Sequence, residues 1–369
     1  MRAVGRVVIK VGSAVLSGGK PGLDAAAIRR LAGAVAAARE RGLEVVVVSS
    51  GAIAAGTKAL GLKTRPATTQ LKQAAAAVGQ SRLMRAWETA LSRKGLSAAQ
   101  ILLTREDLRD RERYLNARNT LFALLRLGVV PVINENDTVA VDEIRFGDND
   151  VLSALVAGLV DAGLLVLLTD QDGLYDRDPR QGPAELVRVV LPGHAPVSAG
   201  GKAGPLGSGG MDSKVRAGAL AAEMGIAAAI ASGLKPRALE AVLSGEEEGT
   251  WFSPETRPLE KRKAWLAFVS HPKGQVHVDQ GAMEALTRRG KSLLPSGVRS
   301  LSGTFEPGDA VSLVLEGREF ARGLTNFASR DLERVKGLKT SEVEGALGHK
   351  PADEVVHRDN LALTGGKRP

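Results

Sequence analysis

Apolar and polar positions alternate in two registers along the first ~250 residues, the span of one large domain. Short continuous apolar runs at residues 4–11, 44–49, 100–103, 129–134, 164–169 and 227–232 predict strands buried on both faces. Between them apolar residues recur at helical spacing. One such segment opens at Asp24, an N-cap type, passes through Ile28, Leu31, Val35 and Ala38, and stops at Gly42. Others cover residues 68–91, 111–127, 149–160, 211–225 and 235–244. Strand–helix alternation of this kind predicts an α/β fold, an αβα sandwich around a mainly parallel open sheet.

The texture changes at residues 253–263, where Pro254, Pro258 and a charge cluster read as a linker. Beyond it lie short strand patterns at 275–278, 298–301, 310–315 and 319–323, with helical patterns at 282–289 and 329–335. Two domains are expected: 1–258, and a smaller, mostly β domain at 259–369 with its core at about 273–350. The length of 369 residues agrees, because a single core stops growing near ~250–300.

Composition narrows the class. Apolar residues make up 44% and charged residues 25%, as in ordinary globular proteins. The longest apolar runs, such as 163–168, fall far short of the ~20 residues that cross a bilayer. Met1–Arg6 leads straight into a strand with no signal-peptide pattern, so a cytoplasmic protein is expected. With no cysteine, disulfides, thiolate metal sites and cysteine nucleophiles are excluded. The five histidines show no ligand spacing, which argues against structural zinc. Net charge is +9, of which +5 falls in residues 1–258 and +4 in 259–369. That balance allows an RNA-contacting surface in the second domain without demanding one.

Candidate chemistry gathers at strand ends, where open α/β sheets bind ligands. Asn134-Glu135-Asn136-Asp137 and Asp148-Asn149-Asp150 together carry seven carboxylate or carboxamide groups. Such a set offers donors for carboxylates and anions for an ammonium, as a small zwitterion needs; either segment alone also reads as a turn. Lys10 lies inside the first strand with Gly12-Ser13 at its end, and reads either as a lysine that snorkels to solvent or as part of a site where backbone donors approach an anion. Ser50-Gly51 opens a helix, as an anion site or as a plain cap. Leu168-Thr169-Asp170-Gln171 is a further strand exit. Ser208-Gly209-Gly210-Met211-Asp212-Ser213-Lys214 ends a glycine-rich loop at a helix start, either a phosphate cradle or a flexible loop; it lacks the spacing of a P-loop.

These segments, with Ala77-Val78-Gly79-Gln80 among them, occur in an order that resembles the bacterial glutamate 5-kinases of the amino acid kinase family over nearly the whole chain. The C-terminal part resembles a PUA domain, a small pseudo-barrel. Asp212 and Ser213 depart from the pattern, standing where Ser or Thr is common. The resemblance implies the amino acid kinase fold and ATP-dependent phosphorylation of the γ-carboxylate of L-glutamate, with Mg²⁺, opening proline synthesis. It implies catalytic roles for Lys10 and Lys214, held by Asp150. It places the substrate ammonium on Asp137 and Asp148, and the carboxylates on Asn134, Asn149 and the Ser50-Gly51 backbone. Nucleotide would contact Lys10, Gly12, Ser13, Thr169, Asp170 and Ser208 to Lys214. No protein side chain is assigned to Mg²⁺. Feedback inhibition by proline and a homo-oligomer are also implied. An N-acetylglutamate kinase is the near alternative, disfavoured because its substrate lacks an ammonium for Asp137 and Asp148. An RNA-binding protein working through the C-terminal domain is the distant one.

Overall fold

The computed structural model describes residues 5–20, 22–64, 66–139, 149–179, 182–192, 210–254, 270–349 and 351–364. The chain divides into two compact units, Met1–Leu108 with Glu112–Pro258, and Leu259–Pro369 with Arg109–Arg111. Most of the expected linker lies outside the described residues.

Through residue 252 the elements run β1 (Arg6–Val11), α1 (Ser13–Ser17), α2 (Ala25–Glu40), β2 (Glu44–Ser49), α3 (Ala52–Ala59) and α4 (Thr69–Ser92). There follow β3 (Ala98–Leu103), α5 (Arg105–Arg109), α6 (Arg111–Arg126), β4 (Val130–Glu135), α7 (Asn149–Leu159) and β5 (Leu164–Thr169). The last are β6 (Val189–Val190), α8 (Met211–Glu223), β7 (Ala227–Ser232), α9 (Ala238–Ser244) and β8 (Thr250–Phe252). The strands form one sheet in the order β3-β4-β2-β1-β5-β7-β8-β6. From β3 to β7 every neighbour is parallel; β8 turns antiparallel to β7 and carries β6 alongside.

Local chemistry accounts for the element ends. Asp24 caps α2 by accepting from Ala26 N at 2.8 Å, and Thr68 caps α4. The helix expected from residue 235 begins only at Ala238. Pro236 disfavours helix at Lys235, and Arg237 takes φ +64°. β6 and β8 escape a periodicity reading because two and three residues are too few to show one.

Strand alternation then sorts β1 between the two helix layers. Val7, Ile9 and Val11 join the core beneath α2 and α4. Val8 and Lys10 face the other way, toward the layer that holds α7 and α8. The chain leaves β1 for β2, β3 and β4 on one side, then crosses back to β5 and β7 on the other. The reversal point is β1, and the crevice at its carboxyl end is where such sheets bind ligands.

The second unit carries a five-stranded sheet, β10-β9-β11-β12-β13. Its strands are β9 (Gly274–Val278), β10 (Val298–Gly303), β11 (Ala310–Leu315), β12 (Arg318–Thr325) and β13 (Val356–Leu363). Helices at Gln280–Arg289 and Ser329–Val335 pack on a core that includes Val276, Leu313, Phe305 and Phe327. β13 lies beyond the core expected to end near residue 350. His357, Arg358, Asp359 and Asn360 interrupt its apolar pattern, so only pairing with β12 reveals it. Among the described residues no helix is long and apolar enough to cross a membrane.

Candidate active site

β1 delivers Lys10 to the α7–α8 side of the sheet, and α7 starts at the facing position with Asn149-Asp150. Asp150 is completely buried there. Lys10 Nζ pairs with Asp150 Oδ1, and Lys214 Nζ, on the first turn of α8, lies 3.1 Å from Oδ2. Both lysines are themselves buried, at 4% and 6% exposure. One carboxylate thus bridges two ammonium groups, and these three described side chains carry one more positive than negative charge. A buried arrangement of that kind is costly to desolvate and suits a site that awaits an anion. Ser213 Oγ joins it, 2.7 Å from Asp150 Oδ2. The resemblance groups Ser213 with the nucleotide contacts; here its hydroxyl also lies 2.8 Å from Gly210 O, inside the first turn of α8.

The polar residues expected to hold the substrate form a second group. Asn149 Nδ2 donates to Ser50 Oγ at 2.9 Å and to Asn134 Oδ1 at 3.0 Å. Asn134 Nδ2 donates to Gln80 Oε1 at 2.8 Å. Gly51 caps α3 at φ +107°, a backbone state that favours glycine. Beneath it, Ser49 Oγ accepts from the buried Trp87 Nε1 at 2.8 Å and pins the end of β2. Asp137, after β4, has its carboxyl pushed up to about 7 from 3.8 by burial and by neighbouring Glu135. Asp148 lies outside the described residues.

On the nucleotide side, Thr169 ends β5 nearly buried, and its Oγ1 donates to Asp170 Oδ1 at 3.0 Å. Gly12 N donates to Leu168 O at 3.2 Å, which ties the β1 exit to β5, and Ser13 opens α1. Gly210 caps α8 without a side-chain bond to its first-turn N–H groups, while Met211 and the exposed Asp212 follow. An open N-terminus of this type suits a phosphate. Ser208 and Gly209 lie outside the described residues.

The structure therefore brings Lys10, Asp150, Ser213 and Lys214 into one cluster, and Ser50, Asn134 and Asn149 into one network. Asn149 and Asp150 are adjacent on α7, so the two groups share a helix start. Gln80 received no role from the sequence. Its signal was present all the same: a polar side chain on the buried stripe of α4 defined by Ala76, Leu83 and Trp87.

Comparison with known proteins gives the family. Residues 5–232 match the amino acid kinase family model, and residues 274–347 match the PUA domain model. A glutamate 5-kinase from Citrifermentans bemidjiense is 51% identical over 98% of this chain and 98% of its own. One from Thermus thermophilus is 52% identical over 97% of each. With a family model spanning most of the first unit and relatives this similar end to end, the chain belongs to the amino acid kinase family, among the glutamate 5-kinases that carry a C-terminal PUA domain.

Proposed function

We propose that the protein transfers the γ-phosphoryl group of ATP to the γ-carboxylate of L-glutamate, forming glutamyl 5-phosphate for proline synthesis in the cytoplasm. The observation that carries this reading is the buried Lys10–Asp150–Lys214 bridge at the start of the helix that also bears the amide network. A carboxylate oxygen of glutamate attacks the γ-phosphorus, and the bond to the bridging oxygen of ADP breaks. With a pKa of about 4.3 that carboxylate is already ionised, so no general base is required. The chemistry asks for alignment and for neutralisation of the charge on the phosphoryl group in flight. Lys10, from the sheet, and Lys214, from α8, supply that charge from two elements, and Asp150 holds both in place.

Mg²⁺ is expected to arrive with the nucleotide, neutralising phosphate charge. Both oxygens of Asp150 face ammonium groups, so this carboxylate is a poor metal ligand. Phosphate oxygens and water suit the ion better, as is common for Mg²⁺ with ATP. The deciding experiment is glutamate-dependent ADP release with hydroxylamine trapping of the acyl phosphate. ATP turnover that ignores glutamate would remove this reading.

The carboxyl of Asp137 makes the substrate step pH-dependent. Below pH 7 it is mostly protonated and neutral; above, it is an anion able to receive an ammonium. kcat/KM for glutamate is therefore expected to fall about tenfold per pH unit below pH 7 and to level off above it. Asp137→Asn should flatten that limb and raise KM for glutamate while leaving KM for ATP alone. Without substrate, the same shift makes the folded state lose stability as pH rises from about 4 towards 7. Proline also presents an ammonium and a carboxylate, so we infer feedback inhibition at the same crevice, relieved by added glutamate.

All residues assigned to glutamate and ATP precede residue 258. A chain ending at Pro258 is expected to fold and to make glutamyl phosphate, because a unit with its own core survives separation. Soluble, folded but inactive protein in that assay would mean that the PUA domain completes the site. RNA is a secondary candidate partner of that domain.

A further inference from the structure

The segment Ala77-Val78-Gly79-Gln80 belongs to the ordered motif set, yet none of the substrate or nucleotide contacts above falls in it. Gln80 stands four residues after Ala76 and three before Leu83, both buried, so helical spacing puts it on the inward stripe of α4. A polar side chain in that position needs a hydrogen-bond partner, and Gln80 Oε1 accepts from Asn134 Nδ2 at 2.8 Å.

A whole chain of amides runs in one direction with Gln80 accepting that bond. With Nδ2 of Asn134 turned to Gln80, its Oδ1 faces Asn149 and accepts from Asn149 Nδ2 at 3.0 Å. The other hydrogen of Asn149 Nδ2 goes to Ser50 Oγ at 2.9 Å. An amide nitrogen has two hydrogens, and both are now committed. Asn149 Oδ1 is left as a buried acceptor that has no partner among the described residues. Reverse the chain at position 80 and the outcome inverts: Asn134 would donate to Asn149 Oδ1, and Asn149 would offer its NH₂ to the ligand instead. An oxygen attracts an ammonium, whereas an NH₂ attracts a carboxylate. The resemblance had placed a carboxylate on Asn149; in this network only its oxygen is available.

We propose that Gln80 is a positioning residue that fixes the donor–acceptor direction of Asn134 and Asn149, so that Asn149 Oδ1 receives the ammonium of the substrate. The inference rests on L-glutamate being that substrate. It adds to Asp137 a neutral acceptor that selects an α-amino acid over the bare diacid, and it leaves Ser50 Oγ, whose hydrogen is not used by Asn149, free to donate to a carboxylate.

The test compares glutamate with glutarate, the same diacid without its ammonium, in the full-length enzyme. Gln80→Met keeps the length of the side chain and deletes the acceptor; Gln80→Glu keeps an acceptor. Gln80→Met is expected to raise KM for glutamate about tenfold or more, the scale of a lost bond to a charged group. KM for ATP and kcat/KM for glutarate should stay within about twofold, so the preference for glutamate narrows. Gln80→Glu should restore most of that preference. An unchanged glutamate-to-glutarate ratio in Gln80→Met overturns the proposal, and so does an equal loss on both substrates, which is what a packing role would give. If Gln80→Met is insoluble, Gln80→Leu supplies the same ratio. Absence of hydroxamate from glutamate in the unaltered enzyme overturns the substrate reading itself, and this proposal with it.

Discussion

Replacing Asp150 with Ala is expected to lower kcat by at least the 10²–10³ that removal of one preorganised charged group produces, on the order seen when such donors are deleted. Lys10→Ala and Lys214→Ala should each fall in that range, since each removes one of the two charges aimed at the phosphoryl group. Asp150→Ala goes further because it releases both lysines at once. It also leaves two buried ammonium groups without the carboxylate that joined them, and breaking a buried ion pair typically destabilises by about 3–5 kcal/mol. The two effects can be separated. Phosphates supply the missing negative charge, so adding ATP should raise the unfolding temperature of Asp150→Ala by more than it raises that of the parent. A variant with near-parental turnover would show that the lysines hold their places without the aspartate. One that is unstable but gains nothing extra from nucleotide would place them away from the phosphates.

The second large effect concerns the crossing of α3 and α4. A Cβ added at Gly79 would sit 1.8 Å from the carbonyl oxygen of Ala52, and one at Gly56 would sit 1.7 Å from that of Ala75. Each glycine therefore lies against the other helix's backbone, which cannot yield as a flexible side chain does. Helix propensity favours Ala over Gly by about 1 kcal/mol, so on local grounds Gly79→Ala should stabilise. The overlap is far larger than packing tolerates, and forced separation of the helices is expected to destabilise by about 3 kcal/mol or more. Urea unfolding should show a lower midpoint at an unchanged slope. Because Gln80 follows directly, separation should also weaken glutamate binding. A Gly79→Ala protein as stable as the parent would mean that the helices do not cross this closely.

The strands and their helices were legible because their signals are local. β2, β5 and β7 fall on the apolar runs expected for them, and α2 and α4 start at their capping residues. Lys10 inside an apolar strand, and the acidic and amide residues clustered at strand exits, likewise stood out as chemical types in unusual places. Capping and burial periodicity act between residues at most four apart, so a linear chain displays them.

Other features depend on residues far apart in the chain. Ser213 and Asp150 are 63 positions apart, and only the packing of α7 on α8 brings that hydroxyl to the carboxylate. Gln80 and Asn134 are 54 positions apart and belong to a helix and a strand whose contact no periodicity announces. β13 pairs at the sheet edge through backbone groups, which every residue carries alike. The sequence by itself determined which elements form and which reactive side chains are present. The tertiary structure decided which atom of each side chain meets which neighbour, because the direction of a hydrogen bond depends on both of its partners.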